Sequence, residues 1–254
     1  MHIQLIRSAT IKLNYAGKSI LIDPNFAPKH SMPSYQGKTL NPLVELPMQV
    51  EEILNDLDVV VISHLHTDHF DRTAKALLPP NLPILCQKED CEKIQAQGFK
   101  NVLPVKDHIH WGGIKITRTT CQHGSGEVLK DMGSASGFLF ENVYEPTVYW
   151  VGDSIFFKDV EKIITQRKPQ IILTHSCGAV WGNNVKIVMD EVQTVTVCKI
   201  APESIVAATH LDAYDHSTVS RTDLRKYADT QGISPNQLLI PSDGETYEFS
   251  LNKQ

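Results

Sequence analysis

The sequence predicts an α/β fold, and two patterns along the chain support that prediction. Residues 57–62 read Leu-Asp-Val-Val-Val-Ile, an apolar run of the length expected for a buried strand. After residue 150, segments with the apolar spacing of a helix alternate with short apolar segments, as in βα units. No repeat, low-complexity tract or linker composition interrupts the 254 residues, so we predict one domain over residues 1–254.

The predicted elements begin with a β-meander. Residues 3–23 alternate apolar and polar side chains around Ala16-Gly17-Lys18, which predicts antiparallel strands. Residues 24–47 contain five prolines and almost no periodicity, so we predict a long loop, either a surface excursion or a partial lid over a binding site. A short helix over 50–55, the buried strand over 57–62 and an α/β crossover over 71–98 follow.

Strands and helices remain mixed beyond residue 98. Further strands are predicted over 99–105, 113–121, 135–142, 147–151, 170–174, 204–209 and near 246–251. Helices are predicted over 157–167, 187–199 and 218–231. The hydrophobic content of 41% is sufficient for a sizeable buried core around these elements.

Composition and charge exclude several classes of function. The net charge of −5 gives no basic face for a nucleic acid, and no apolar run reaches the roughly 18–20 residues of a membrane helix. The five cysteines are scattered and odd in number, which indicates free thiols. We therefore predict a cytoplasmic protein that binds a small molecule and neither nucleic acid nor membrane. The sequence leaves open whether the chain forms a homo-oligomer.

Metal-ligating side chains are concentrated where the predicted strand over 57–62 ends. The run Ser63-His64-Leu65-His66-Thr67-Asp68-His69-Phe70-Asp71 contains three imidazoles and two carboxylates. These groups are the ligands that zinc and similar divalent ions prefer. A polar, solvated loop is the alternative, but burying so many unpaired titratable groups beside an apolar strand would be costly. The run therefore predicts a metal site.

The remaining histidines carry weaker predictions. His175 ends the segment over 170–174, and the sequence leaves both substrate contact and a structural role open. His216 follows His210 closely and could face a substrate. His108 and His110 are assigned to a turn and to no site. Cys177 is not predicted to be a nucleophile beside His175, because sequence proximity on a strand is poor support for a catalytic pair.

The run over 63–71 resembles the HxHxDH motif of the metallo-β-lactamase fold superfamily, which is a highly specific signature. The superfamily's further site residues occur in the same order along this chain, as Asp23, His123, Asp153 and His210, each after a strand-like segment. The resemblance covers residues 3 to 216. The trailing Asp71 is similar to the branch that includes the ascorbate-6-phosphate lactonase and the phospholipase D-like enzymes acting on N-acyl-ethanolamine lipids.

The resemblance implies a four-layer αββα sandwich, with two metals at one edge between its sheets. It implies that the first metal is held by His64, His66 and His123. It implies that the second is held by Asp68, His69 and His210, and that Asp153 bridges the two ions. Asp23 would orient a ligand rather than bind metal. Catalytic roles fall to Asp68, Asp153 and His210.

This ligand set implies two divalent ions, with zinc favoured and manganese or iron also compatible. Two such ions roughly 3.5–4 Å apart lower the pKa of a shared water and yield a bridging hydroxide near neutral pH. We therefore expect a dinuclear hydrolase acting on a small lactone, ester or phosphodiester. A nuclease of the same fold and a non-hydrolytic metal-binding member of the fold are the alternatives. Metal analysis combined with a substrate panel would distinguish them.

Overall fold

The strand Val59–Ile62 shows how the sequence builds the layers of this protein. Val59 and Val61 face the apolar core between two sheets, whereas Val60 and Ile62 face a second core beneath helices. All four side chains are buried. A strand covered on both faces has no polar positions, which explains the uninterrupted apolar run in the sequence.

The structure is a computed structural model and describes residues 1–251. Its strands are β1 His2–Arg7, β2 Thr10–Tyr15, β3 Lys18–Ile22, β4 Val59–Ile62, β5 Ile84–Gln87, β6 Val102–Val105, β7 His108–Trp111, β8 Ile114–Thr120, β9 Ser136–Asn142, β10 Glu145–Trp150, β11 Ile171–His175, β12 Val180–Trp181, β13 Val185–Lys186, β14 Ile205–Thr209, β15 Leu238–Leu239 and β16 Thr246–Glu248. Its α-helices are α1 Val50–Leu54, α2 Arg72–Leu77, α3 Cys91–Gln95, α4 Val128–Met132, α5 Lys158–Arg167, α6 Glu191–Ile200 and α7 Arg221–Thr230.

Two sheets of seven strands organise these elements. The first has the order β16-β1-β2-β3-β4-β5-β6, with an antiparallel meander over β1 to β3 and parallel pairing from β3 to β6. The second has the order β15-β14-β11-β10-β9-β8-β7, with antiparallel pairing from β7 to β10 and parallel pairing from β10 to β15. The predicted meander and the predicted crossover over 71–98 are both confirmed.

The helices cover the outer faces of the two sheets. Side chains of α1, α2 and α3 pack on the first sheet, and those of α5, α6 and α7 pack on the second. Residues of both sheets share the apolar core between them. This arrangement is the αββα sandwich, so the predicted fold class is confirmed. The last three residues of the predicted domain, 252–254, lie outside the described part.

Two sequence-based predictions about elements were wrong, and one short hairpin was not predicted. His108 and His110 lie on the edge strand β7, and the turn follows at Gly112 and Gly113, both with positive φ. The predicted helix over 187–199 begins only at Glu191, because the carboxylate of Asp190 caps it by accepting from the Gln193 amide. The hairpin of β12 and β13, just before that helix, was not predicted.

The loop over 24–47 contains no helix or extended strand, as predicted. It forms only one isolated bridge, between Met32 and Asn41. The five cysteines are free thiols. Among residues 1–251, no helix has the length and apolar character needed to cross a membrane.

Candidate metal centre

One edge of the sandwich collects the carboxyl ends of strands from both sheets. These ends carry the polar residues of the site, which are Asp23 after β3, the run from Ser63 to His69 after β4, His123 after β8, Asp153 after β10, His175 at the end of β11 and His210 after β14. Strand ends on a rigid scaffold place such side chains precisely. His210 holds a left-handed backbone, with φ of 64°, a conformation that costs free energy and is found at functional sites.

A first group of donor atoms comes from His64, His66, His123 and Asp153, and all four atoms lie within 4.8 Å of one another. His66 Nδ1 lies 3.3 Å from His123 Nε2, which in turn lies 3.2 Å from Asp153 Oδ2. The buried His64 Nε2 has no hydrogen-bond partner. These residues are the three predicted ligands of the first metal together with the predicted bridging carboxylate.

A second group comes from His69, His175, His210 and the same Asp153, again within 4.8 Å. His69 Nε2 lies 3.1 Å from Asp153 Oδ2, and His175 Nδ1 lies 2.5 Å from Asp153 Oδ1. The Nε2 atoms of His175 and His210 are buried without hydrogen-bond partners. Asp153 is thus the one residue common to both groups, as a bridging ligand would be.

Asp68 stands at the side of the second group rather than within it. Its Oδ2 lies 3.3 Å from His210 Nε2 and 3.7 Å from His69 Nε2. His175, whose role the sequence left open, occupies the compact group instead. Both Asp68 and His175 are therefore available as ligands at the second metal position. They add to the other predicted ligands there, which are His69, His210 and Asp153.

The outer nitrogens of the histidines are held by neighbouring groups. Asp23 accepts hydrogen bonds from His69 Nδ1 at 2.7 Å and from the Ser63 hydroxyl at 2.7 Å, and that hydroxyl lies 2.8 Å from His64 Nδ1. His123 Nδ1 donates to the carbonyl of Ile187 at 2.8 Å. Fixing Nδ1 as the donor leaves the Nε2 lone pair directed inward, which is how proteins prepare a histidine ligand.

The electrostatics of the site favour a cation. Among residues 1–251, the ion pairs of Asp23, Asp68 and Asp153 are with histidines and with no lysine or arginine. Burial opposes ionisation of Asp153, but His69 and His123 outweigh it and hold the pKa of its carboxyl well below the ordinary value. Burial lowers the pKa of His69, yet the three carboxylates outweigh it and raise that pKa to about 10.

These observations fit a pair of divalent ions. Three imidazole nitrogens, the Nε2 atoms of His64, His175 and His210, are buried without hydrogen-bond partners, and such unsatisfied buried polar atoms are otherwise rare. Burial holds the pKa of His64 well below its ordinary value, so that imidazole is neutral, the form that binds metal. The donor set of imidazoles and carboxylates suits zinc, and also manganese or iron.

A cavity of about 260 Å³ reaches His66, His123 and Asp153 of the first group of donors, and of the second group it reaches the shared Asp153. Its apolar lining consists of Leu65, Met132, Trp181, Ile187 and the ring of Tyr35. Its polar lining consists of His66, Thr67, Asp68, His123, Asp131, Asp153 and His216. Its volume lies near the lower end of the range for small-molecule sites, roughly 300–1,000 Å³, so the cavity suits a small ligand.

Comparison with known proteins shows the family of this chain. The β-lactamase superfamily domain matches residues 18–211, which include Asp23, the HxHxDH run, His123, Asp153 and His210. The chain belongs to the β-lactamase superfamily. Within it, the UPF0173 protein YddR of Bacillus subtilis is 35% identical over 98% of this chain and 100% of its own length.

Two solved structures resemble this chain over nearly its whole length. The isothiocyanate hydrolase from Delia radicum gut bacteria is 35% identical, with a TM-score of 0.92 over 98% of this chain and 99% of its own. A possible metal-dependent hydrolase from Veillonella parvula is 34% identical, with a TM-score of 0.93 over 97% of this chain and 98% of its own. This member of the superfamily therefore groups with metal-dependent hydrolases.

The structure brings all seven predicted ligands to one place. That they bind metal stays a prediction, as do the catalytic roles of Asp68, Asp153 and His210. Sequence reasoning left His175 undecided, although its position at a strand end was a usable signal. It also gave no role to Tyr35, which lines the cavity from the loop over 24–47.

Proposed function

We propose that this protein is a dinuclear metal-dependent hydrolase that acts on a small, uncharged substrate with an electrophilic carbon. The observation that carries the proposal is the sharing of Asp153, which lines the cavity, by two groups of metal-type donors. Two divalent ions bound at these donors would activate water for hydrolysis. Lactones, esters and isothiocyanates are substrates of this kind.

The charge of the cavity lining argues against anionic substrates. Within the described residues, no lysine or arginine lines the cavity, whereas Asp68, Asp131 and Asp153 do. A phosphodiester or RNA would have only the bound ions to receive its negative charge, since no lysine or arginine in the lining would assist them. Among the substrates expected from the sequence, this lining favours the lactone and the ester over the phosphodiester.

An isothiocyanate is the most specific candidate that the comparisons suggest. The isothiocyanate hydrolase from Delia radicum gut bacteria matches this chain over almost the full length of both. An isothiocyanate is small and uncharged, and its hydrocarbon substituent would suit the apolar walls formed by Leu65, Met132 and Trp181. The second candidate, a lactone or ester, is compatible with the same lining.

Hydrolysis of an isothiocyanate can be written as a balanced reaction. Water adds to the central carbon of the N=C=S group, which forms a carbon–oxygen bond and places a proton on nitrogen. The resulting thiocarbamic acid loses carbonyl sulfide and leaves the amine. No oxidant or reductant is required, so the reaction belongs with the ester and lactone hydrolyses expected of this site.

The chain's own residues would orient the reactants. Divalent ions bound at these ligands would lower the pKa of water and polarise the substrate. Burial opposes ionisation of Asp68, but His69 and His210 hold its pKa well below the ordinary value, so its carboxylate is ionised and can orient the attacking water by accepting a hydrogen bond. His216 lines the cavity, and its buried Nδ1 has no hydrogen-bond partner within residues 1–251. It can therefore bond the polar end of the substrate.

The test is a substrate panel on metal-reconstituted protein. It compares phenethyl isothiocyanate, phenyl acetate and a γ-lactone with bis(p-nitrophenyl) phosphate and a structured RNA at equal metal loading. We expect at least one uncharged substrate to be turned over at least about tenfold faster than either phosphate compound, a barrier difference of about 1.4 kcal/mol. The Asp153→Asn variant controls for contaminating enzymes. Faster turnover of the phosphodiester or the RNA would refute the proposed substrate class.

A further inference from the structure

The loop over 24–47 approaches the cavity at one place, around Tyr35. The ring of Tyr35 lines the cavity, and its hydroxyl lies 2.6 Å from the hydroxyl of Thr67, which stands between the ligand-type residues His66 and Asp68. The ring stacks on Tyr214 with centroids 5.8 Å apart, and it meets the edge of His216 at 5.0 Å. One side chain of the loop thus forms part of the cavity wall.

Asp215 hydrogen-bonds this part of the loop to a segment that lies 180 residues later in the sequence. Its carboxylate accepts hydrogen bonds from the hydroxyl of Ser34 and from the backbone amides of Tyr35 at 3.0 Å and Gln36 at 3.2 Å. It also accepts from the amide of Lys38 at 3.4 Å. A carboxylate that receives several amide donors at once is a strong fixed point, because charge-assisted hydrogen bonds exceed neutral ones in strength.

Asn41 completes the attachment from the far side of the loop. Its side-chain amide donates to the Asp215 carboxylate at 2.9 Å, and its side-chain oxygen accepts from the Asp215 backbone amide at 2.9 Å. Both Asn41 and Asp215 are buried. Gln36 adds a bond from its side chain to the carbonyl of Val180 at 2.9 Å. The stretch from Ser34 to Asn41 is therefore held in place as a unit.

We infer that Tyr35 is a specificity-determining wall of the cavity and that Asp215 is the positioning residue that holds it there. The inference rests on the proposed function, because it concerns the same cavity. It makes the loop a fixed wall rather than a lid that opens in each turnover. The Tyr35 ring and the other apolar lining residues then determine how wide a substituent of the substrate the cavity accepts.

Substitutions at Tyr35 test the wall. The ratio of kcat/KM for phenethyl isothiocyanate to that for a bulkier naphthyl isothiocyanate reports cavity width, with matched ester pairs as a second series. Tyr35→Ala should shift this ratio toward the bulkier member by about tenfold or more, the scale of discrimination in an apolar pocket. Tyr35→Phe keeps the ring and should leave the ratio within about twofold of the wild type. An unchanged ratio in Tyr35→Ala overturns the specificity role.

Limited proteolysis tests the anchor without reference to activity. Lys29 and Lys38 are exposed trypsin sites on the loop. In Asp215→Asn the new side-chain NH₂ is itself a donor and cannot accept the hydrogen bonds of the backbone amides. The loop should then open locally at a lower free-energy cost, and we expect trypsin cleavage at these lysines to accelerate by about tenfold. Metal content should stay unchanged and KM should rise more than kcat falls. Asp107→Asn, the same chemical change at an exposed aspartate, is the matched control.

The two failures are distinguishable. A wild-type protein that hydrolyses none of the isothiocyanates, esters or lactones refutes the proposed function, while the proteolysis comparison still decides the anchoring. If Asp215→Asn is cleaved no faster than Asp107→Asn, the anchor is wrong even where the enzyme is active. A fall in metal content in Asp215→Asn would instead show that Asp215 supports the metal centre, and this also contradicts the inference.

Discussion

Asp153 makes contacts that no ordinary structural aspartate would need. Its two carboxylate oxygens lie within 2.5–3.8 Å of nitrogens of four histidines, from the loop after β4, the segment after β8 and the end of β11. If two ions bind here, as we propose, loss of this carboxylate would remove the ligand that they share. At the residue scale, the proposed metal centre therefore depends most on Asp153.

The first prediction is that Asp153→Asn loses metal and activity while it keeps the fold. The amide has the same size but cannot neutralise two cations, so we expect no more than about one ion per chain. Activity should fall by at least about 100-fold, the upper range for perturbing a metal site's supporting groups. Elemental analysis, turnover and circular dichroism measure the three properties. An Asp153→Asn protein with two ions and wild-type turnover would show that Asp153 does not bridge.

The second prediction concerns His175. Its Nδ1 lies 2.5 Å from Asp153 Oδ1, and its Nε2 is buried without a partner, so it acts on the metal centre either directly or through Asp153. His175→Gln should weaken the affinity of the second metal by about 10–100-fold. Competition with a metal chelator measures that affinity independently of turnover. His108→Gln, at an exposed histidine, is the control, and equal affinities in both variants would assign His175 a purely structural role.

The sequence predicted most of the candidate site because its residues lie at strand ends. The HxHxDH run is local, and Asp153 and His210 follow apolar segments whose parallel pairing brings their ends to one edge. Tyr35 could not be predicted in the same way. Its position depends on hydrogen bonds to Asp215, 180 residues away in the chain, within a loop that has no periodicity. Local patterns contain no information on such a contact.

At the scale of elements, the position of Asp153 depends on the pairing of the start of β9 with the end of β10. A Cβ atom on Gly137 of β9 would lie 2.5 Å from the Val151 carbonyl oxygen and 2.8 Å from the Trp150 carbonyl oxygen. Backbone atoms cannot rotate away as a side chain does. Gly137 therefore permits the close approach of backbone just before the metal-centre carboxylate.

The third prediction is that Gly137→Ala destabilises the fold and perturbs the site together. Overpacking of this kind costs about 1–3 kcal/mol in the free energy of unfolding, measured by urea denaturation. Because the displaced backbone leads into Asp153, metal content should fall as well. Gly98→Ala is the comparison, since a Cβ there meets nothing within 4 Å and adds only the strain of a φ of 99°. Normal stability and metal content in Gly137→Ala would contradict this account.

Element prediction succeeded where side chains face two layers and failed where the side chains of a strand are exposed or where a capping residue sets the start of a helix. The apolar runs of β4, β11 and β14 were recognised because both faces are buried. The edge strand β7 was taken for a turn, since His108 and His110 are exposed and only the partner β8 makes them part of a sheet. The start of α6 was misplaced because the cap at Asp190 outweighed the apolar residues before it.

At the scale of the whole molecule, the candidate metal centre lies between the two sheets, which also meet through their apolar core and through polar contacts such as that of Gln87 with Ser136. The HxHxDH run follows a strand of the first sheet. The second sheet contributes the residues at or after its strand ends, which are His123, Asp153, His175 and His210. Ions bound between them would crosslink the sheets in the folded state alone. Metal binding should therefore contribute to stability as well as to chemistry.

The fourth prediction follows from this linkage. With free ion at 100 times its Kd, one bound ion adds about 2.7 kcal/mol to the free energy of unfolding, which corresponds to roughly 5–10 °C in Tm for a domain of this size. Chelation should lower Tm by that amount for each ion removed, and readdition of zinc or manganese should restore it. The reconstituted protein should hold close to two ions per chain. Less than about half an ion per chain after reconstitution would refute the dinuclear assignment.

The fifth prediction concerns the pH dependence of the metal-free protein. Burial lowers the pKa of His69, but Asp153, Asp68 and Asp23 raise it to about 10, above the ordinary value of 6.5 that applies to the unfolded chain. The protonated imidazole then stabilises the fold fully below pH 6.5, and this contribution is lost as the pH rises toward 10. The pKa of His210 shifts in the same direction, because Cys177 and Asp68 outweigh burial.

Bound ions would take the place of these protons, so the metal-loaded protein should lack the decline. Urea unfolding of chelated and reconstituted protein between pH 6.5 and 10 measures the difference. His64 and His175 have lowered pKa values from burial, so they act only below that window. In the chelated His69→Gln variant the slope should become shallower. A chelated wild type whose stability is constant across the window would mean that the buried carboxylates do not require a cation, and the argument for the metal centre would lose its electrostatic basis.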